Sequence, residues 1–215
     1  MELLFPIKCA VCEKETGSPP AGRAGKRKNK LICTDCLKEL SLSLNFYCPL
    51  CEARTADGEL CFSCRLIISN TENKFYLDRL FYPFFYKDFK IQKIIKAFKY
   101  RFIKDMEIPL GRLMNGYLEK AKERIDLSGS ILIPVPLHKR KYNQRGYNQS
   151  ELIARQISKS LNFEIINDCL IKNKTTKDQA ILENKERTKN INGVFSCVKP
   201  EVIEGKNILL VDDIY

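Results

Sequence analysis

Apolar residues recur every three or four positions from Ile91 to Phe102, through Ile94, Ile95 and Phe98, with Lys90, Lys93, Lys96, Lys99 and Lys104 mostly between them. That spacing predicts a helix with one apolar face and several lysines. Such a helix can lie on a membrane or a nucleic acid, but packing on a sheet with the lysines in water is the commoner outcome. A second helix is predicted over Gly111 to Arg124. Ile131 to Val135 then reads as a buried strand, "PLHKRKYNQRGYNQ" as a polar loop, Glu151 to Leu161 as a helix and "FEII" as another strand. Strand, loop, helix and strand in that order form a βαβ unit with a parallel sheet and a right-handed crossover. The chain closes on "NILLVDDIY", in which Ile208 to Val211 form an apolar run typical of a buried parallel strand. Asp212 and Asp213 stand at its C-terminal end, the edge at which open α/β sheets bind ligands.

With 215 residues and 44% hydrophobic content, the chain can hold one medium domain and a small one. No apolar run approaches the roughly 18 residues needed to span a bilayer. "MELLFPIKC" has no basic start followed by a long apolar stretch, so a cytoplasmic protein is expected. A formal net charge of +11 favours an anionic partner such as nucleic acid, phosphate or a membrane surface.

The first 64 residues hold four cysteine pairs of one spacing: Cys9 with Cys12, Cys33 with Cys36, Cys48 with Cys51, and Cys61 with Cys64. Two thiolates separated by two residues fit one tight turn, and two such turns complete the tetrahedral set that zinc prefers. Four pairs therefore predict two structural zinc sites. Sequential pairing leaves 20 and 9 residues between the turns of each site, and a cross-braced arrangement is equally open on spacing alone. A disulfide framework would need an oxidising compartment, which the lack of a signal sequence argues against. Eight thiolates around two zinc ions would lower the net charge by four, to about +7, so the basic bias survives. Cys169 and Cys197 have no partner turn and read as single buried or half-buried thiols.

Two basic stretches remain. Between the first two turns, "GSPPAGRAGKRKNK" carries Arg23, Lys26, Arg27, Lys28 and Lys30 and reads as a solvated loop able to touch phosphates. After the PVP strand, Lys139, Arg140, Lys141 and Arg145 lie beside Gly146, a combination that suits a phosphate or pyrophosphate. His138, the single histidine, reads as an incidental loop residue. Tyr142 and Tyr147, beside Arg140 and Arg145, are candidates for stacking bases, although tyrosines in such loops more often pack on their own domain.

"PVPLHKRKYNQRGYNQSELIA", "TTKDQAILENKERTKNINGVF" and "ILLVDDIY", in this order behind the cysteine-rich segment, resemble the ComF family of competence proteins (ComFC type) over essentially the whole chain. That family is similar to type I phosphoribosyltransferases, and its PVP strand looks like that of amidophosphoribosyltransferases. The resemblance implies an α/β fold: a double zinc ribbon over 1–68, an aromatic and helical segment over 69–130, and a phosphoribosyltransferase-like parallel sheet flanked by helices over 131–215. It also implies binding of 5-phosphoribosyl-1-pyrophosphate (PRPP) with magnesium. By motif, Lys139, Arg140 and Arg145 would face pyrophosphate, Gln179 and Arg187 would belong to a flexible hood, and Asp212 and Asp213 would face the ribose hydroxyls. Cations and magnesium suit a leaving group that gains negative charge, and carboxylates accept from paired hydroxyls. In the family the aspartates run on into a Thr-Thr-Gly phosphate loop, a helix and a strand. The expectation is therefore a truncated product or fragment, missing its last helix and strand and inactive alone.

The same resemblance implies single-stranded DNA as partner, together with a competence helicase or other DNA-uptake proteins. A transferase acting from PRPP on an unknown acceptor is the alternative. A P-loop nucleoside triphosphatase is disfavoured because no G-x-x-x-x-G-K-[ST] occurs. A phospho-receiver domain would leave residues 131–195 unexplained.

Overall fold

The computed structural model describes residues 6–17, 31–40, 42–43, 45–70, 75–175 and 193–214. Its N-terminal part repeats one small unit twice. Antiparallel strands β1 (Ile7–Lys8) and β2 (Glu15–Gly17) precede helix α1 (Thr34–Lys38), and antiparallel β3 (Phe46–Tyr47) and β4 (Arg54–Thr55) precede helix α2 (Phe62–Ser69).

Helix α3 (Phe89–Tyr100) starts two residues before its apolar period because Asp88 caps it, accepting from the Lys90 N–H at 2.7 Å. Of its predicted apolar face, Ile91, Ile94, Ile95 and Phe98 are buried, whereas Phe102 falls beyond the end of the helix, where the chain turns into a left-handed conformation, and is exposed. The lysines are not all in water: Lys93 Nζ donates to the Val11 carbonyl and Lys90 pairs with Glu39, both at 2.7 Å, so α3 docks on the first ribbon unit. Helix α4 (Glu107–Lys122) begins four residues earlier than its pattern suggests. Pro109 reads as a breaker in sequence, yet it falls in the first turn, where no intrahelical N–H bond is lost.

Strand β5 (Ile131–Pro134), helix α6 (Gln149–Leu161) and strand β6 (Glu164–Ile165) make the predicted βαβ unit, and β9 (Ile208–Val211) joins the other side of β5. The sheet order is β6-β5-β9 and both pairings are parallel, with Ile131 opposite Glu164 and opposite Ile208. The supposed polar loop after β5 instead contains a helix, α5 (Lys139–Arg145), none of whose residues is buried. A helix with no buried face leaves no apolar period to read. His138 is not incidental: its Nδ1 caps α5 by accepting from the Arg140 N–H at 3.2 Å, and Gly146 ends the helix at φ 76°. An antiparallel pair, β7 (Leu170–Lys172) with β8 (Phe195–Cys197), was not legible in the pattern.

One face of the sheet shares a core with α3, α4, α6 and the first ribbon unit, through Phe98, Tyr117, Leu132, Ile153, Val11 and Cys36 among others. The opposite face packs Ile131 and Ile133 on Cys169, Leu170 and Val202. Cys169 is buried as expected, whereas Cys197 is exposed, because β8 turns it away from that cluster. No helix among the described residues is long and apolar enough to cross a membrane.

Candidate metal centres and sheet-edge site

The cysteines assemble sequentially and not cross-braced: Cys9, Cys12, Cys33 and Cys36 form one group, and Cys48, Cys51, Cys61 and Cys64 the other, with all Sγ atoms of a group within 4.8 Å. Zn–S bonds of about 2.3 Å in a tetrahedron put sulfurs about 3.8 Å apart. Cys12 to Cys33 is 3.7 Å and Cys51 to Cys61 is 3.6 Å, so both donor sets fit zinc.

Local chain geometry builds each set twice over. The residue after each first turn, Glu13 or Glu52, takes a left-handed φ of 62° or 59° and donates its N–H to the carbonyl of Cys9 or Cys48. The second turns, at Cys33 and Cys61, are the N-caps of α1 and α2. Burial raises the Cys9 thiol pKa, but the backbone N–H groups of Cys12, Cys33 and Val11 overcome it and bring the value down to about 6. Cys48 is likewise lowered to about 6 against its burial, by Cys61, Cys51 and Leu50. Cys36 goes the other way, raised by burial and by neighbouring cysteines. Sulfurs this crowded cannot all ionise without a cation among them. The repeat had a sequence signal that spacing alone overlooked: "CAVCE" and "CPLCE" share their glutamate.

At the sheet edge the two aspartates have different settings. Asp212 is exposed, and its Oδ1 accepts from the Ser150 hydroxyl at 2.9 Å and from the Asp213 N–H at 2.8 Å. Crowding by protein atoms, followed by the Asp213 charge, raises the Asp212 pKa. The residue keeps a solvent face, which tempers the size of that rise but not its direction. Asp213 turns inward: its side chain is 8% exposed, Oδ1 lies 3.0 Å from Lys99 Nζ, and Oδ2 is buried with no hydrogen-bond partner among the described residues.

Arg145 hydrogen-bonds Gln149 Oε1 at 3.2 Å and stands 5.6 Å from the Tyr100 ring centre, so it belongs to the same neighbourhood. Lys139 and Arg140 sit exposed on the first turn of α5, at its other end. Tyr147 cannot stack a base, for it is buried, stacked on Phe98, and donates its hydroxyl to the Phe98 carbonyl at 2.7 Å. Tyr142 is exposed. Gln179, Arg187 and the cations of the 17–30 loop lie outside the described residues. Lys99 and Ser150, which contact the aspartates, were missed because no local motif marks them. Two surface concavities, one near Ile131 and Phe163 and one near Ile166 and Val202, do not include Asp212.

These features define a class: a double four-cysteine ribbon joined to an α/β unit whose parallel sheet carries an acidic pair at its C-terminal edge. No family model and no solved structure matches the chain. Among curated proteins it is 23% identical to competence protein ComFC of Bacillus subtilis, over 99% of this chain and 84% of that protein. It is 31% identical to competence protein F of Haemophilus influenzae over 56% of this chain and 54% of that protein, and 29% identical to DNA utilization protein YhgH of Escherichia coli O157:H7 over 39% and 36%. The chain thus resembles the ComF family, and its likeness to ComFC runs over nearly the whole chain.

Proposed function

We propose that the chain is a competence-type factor for DNA uptake and natural transformation that handles single-stranded DNA in the cytoplasm. In this reading its α/β part is of the type I phosphoribosyltransferase kind. The likeness to competence protein ComFC over 99% of the chain carries the reading. The net charge of +11 supports a polyanionic partner.

Cys9, Cys12, Cys33 and Cys36 would hold one zinc and Cys48, Cys51, Cys61 and Cys64 the other, as closed structural sites with no position for water. Asp212, exposed and held by the Ser150 hydroxyl, would accept hydrogen bonds from ribose hydroxyls, while Lys139, Arg140 and Arg145 would supply positive charge for pyrophosphate. Magnesium bound with PRPP would neutralise charge on that leaving group. Gln179 and Arg187 complete the assignment as hood residues. Transfer of ribose phosphate from PRPP to an acceptor is the second reading, favoured by the exposed Asp212 at the C-terminal edge of a parallel sheet.

Fluorescence anisotropy with a labelled oligo-dT, titrated with salt, tests the first reading. The logarithm of affinity should fall with the logarithm of salt by about 0.7 for each phosphate contacted. Absence of binding at low salt would remove it. Pyrophosphate release from PRPP and magnesium, lost in Asp212→Asn, tests the second independently.

A further inference from the structure

Helix α3 ends in three exposed residues, and two of them are aromatic: Tyr100 is 53% and Phe102 49% exposed, with Arg101 between them. Large aromatics left in water are costly, and here the backbone is arranged to keep them there. Phe102 holds a left-handed φ of 54° at the position just beyond the helix cap, which glycine normally fills because a Cβ is strained there. The Ile103 N–H closes the motif by reaching back to the Ala97 carbonyl at 3.5 Å. A bulky residue at such a point is strained and persists only where the surrounding structure holds it.

One face of Tyr100 is covered by the Arg145 guanidinium at 5.6 Å, and Arg145 is itself held by Gln149. Tyr142, 46% exposed, lies three residues before Arg145 on α5 and so on the same side of that helix. An aromatic ring backed by a cation and open on its other side is a stacking surface for a nucleobase.

We propose that Tyr100, backed by Arg145, is a base-stacking platform for single-stranded DNA at the junction of α3 and α5, with Phe102 and Tyr142 as its flanking aromatics. The proposal rests on the DNA-handling reading above and replaces buried Tyr147 as the stacking residue. The platform adjoins the acidic pair through chain neighbours: Lys99 beside Tyr100 holds Asp213, and Ser150 beside Gln149 holds Asp212. It takes unpaired bases, because a duplex keeps its base faces stacked internally.

The chain contains no tryptophan, so Tyr100→Trp in the zinc-loaded full chain creates a single reporter at the platform. Addition of dT20 should quench its fluorescence, whereas a duplex of equal length should not. Tyr100→Ala should weaken dT20 binding by about 5- to 150-fold, the range for loss of one stacked base. Its salt slope should be unchanged, since no phosphate contact is lost. Tyr100→Phe should bind as wild type. If wild type binds dT20 and Tyr100→Ala binds equally well without quenching in the tryptophan variant, the platform is wrong and the DNA reading stands. If wild type binds no single strand, both are wrong.

Discussion

The Asp213 carboxylate gives one oxygen to Lys99 and buries the other with no partner among the described residues, so it rests on one long-range ion pair. Removing the cation strands a buried carboxylate, which costs far more than losing a surface pair. Lys99→Met should therefore destabilise the protein by about 3 kcal/mol, the low end for a buried pair because Lys99 keeps some exposure. A urea titration checks this, and an unchanged midpoint would mean that the pair contributes nothing. Asp212 behaves differently. Its pKa is raised by crowding and by Asp213, so the folded state binds that proton more tightly than the unfolded chain. Its contribution is fully present below the ordinary carboxylate range and is lost as pH rises through the raised folded value. Asp212→Asn should remove that part of the decline in a pH series of melting curves, and identical profiles would contradict the assigned shift. Nothing in "VDDIY" distinguishes these two carboxylates, because their difference is set by Lys99 and Ser150, far away in the chain.

Helices α4 and α6 meet at Gly111, where an added Cβ would lie 2.3 Å from the Gln156 Cβ. Gly111→Ala gains about 1 kcal/mol of helix propensity, but overpacking costs about 1–3 kcal/mol, and contact this close with the stem of Gln156 calls for the upper part of that range. Net destabilisation of about 1 kcal/mol or more is expected in thermal melts, together with loss of the packing that supports Ser150. A stabilised variant would show that the helices separate freely. The elements differ in how legible they were for a common reason. Helices α3 and α6 bury one face and so carry an apolar period, whereas α5 buries none and depends on the His138 cap and the Gly146 stop. Those two signals were visible in the sequence, but a lone capping residue and a lone glycine fit a loop equally well.

The two ribbon units are alike locally and unlike in their attachment. Cys9 and Cys36 belong to the same core as Phe98, Tyr117 and Leu132, while Cys48, Cys51, Cys61 and Cys64 lie outside it. The second unit reaches that core through Phe46, which packs on Phe81 and Tyr117, and is further tied at Leu80, whose N–H donates to the Gly58 carbonyl at 3.1 Å, and at Arg79, which pairs with Glu59. Metal loss should accordingly propagate unequally. The intact chain should carry two zinc ions by elemental analysis. Cys36→Ser should lower the global melting temperature by several degrees, whereas Cys64→Ser, whose sulfur lies outside the core, should lose one zinc with a smaller shift of the main transition. Equal effects of the two variants would mean that the ribbons unfold as one body.

Sequence alone determined the eight cysteines that build two zinc-compatible groups, the βαβ unit and the strand that ends on the aspartates. Each rests on short spacings, and chelation turns and strand or helix periods are properties of a few consecutive residues. The tertiary structure decided which cysteine pairs share a site, that α3 lies on the first ribbon unit, and that Lys99, Ser150 and Arg145 converge near Asp212 and Asp213. Those contacts join residues far apart in the chain, and their energy exists only once the shared core has brought them within a few ångströms.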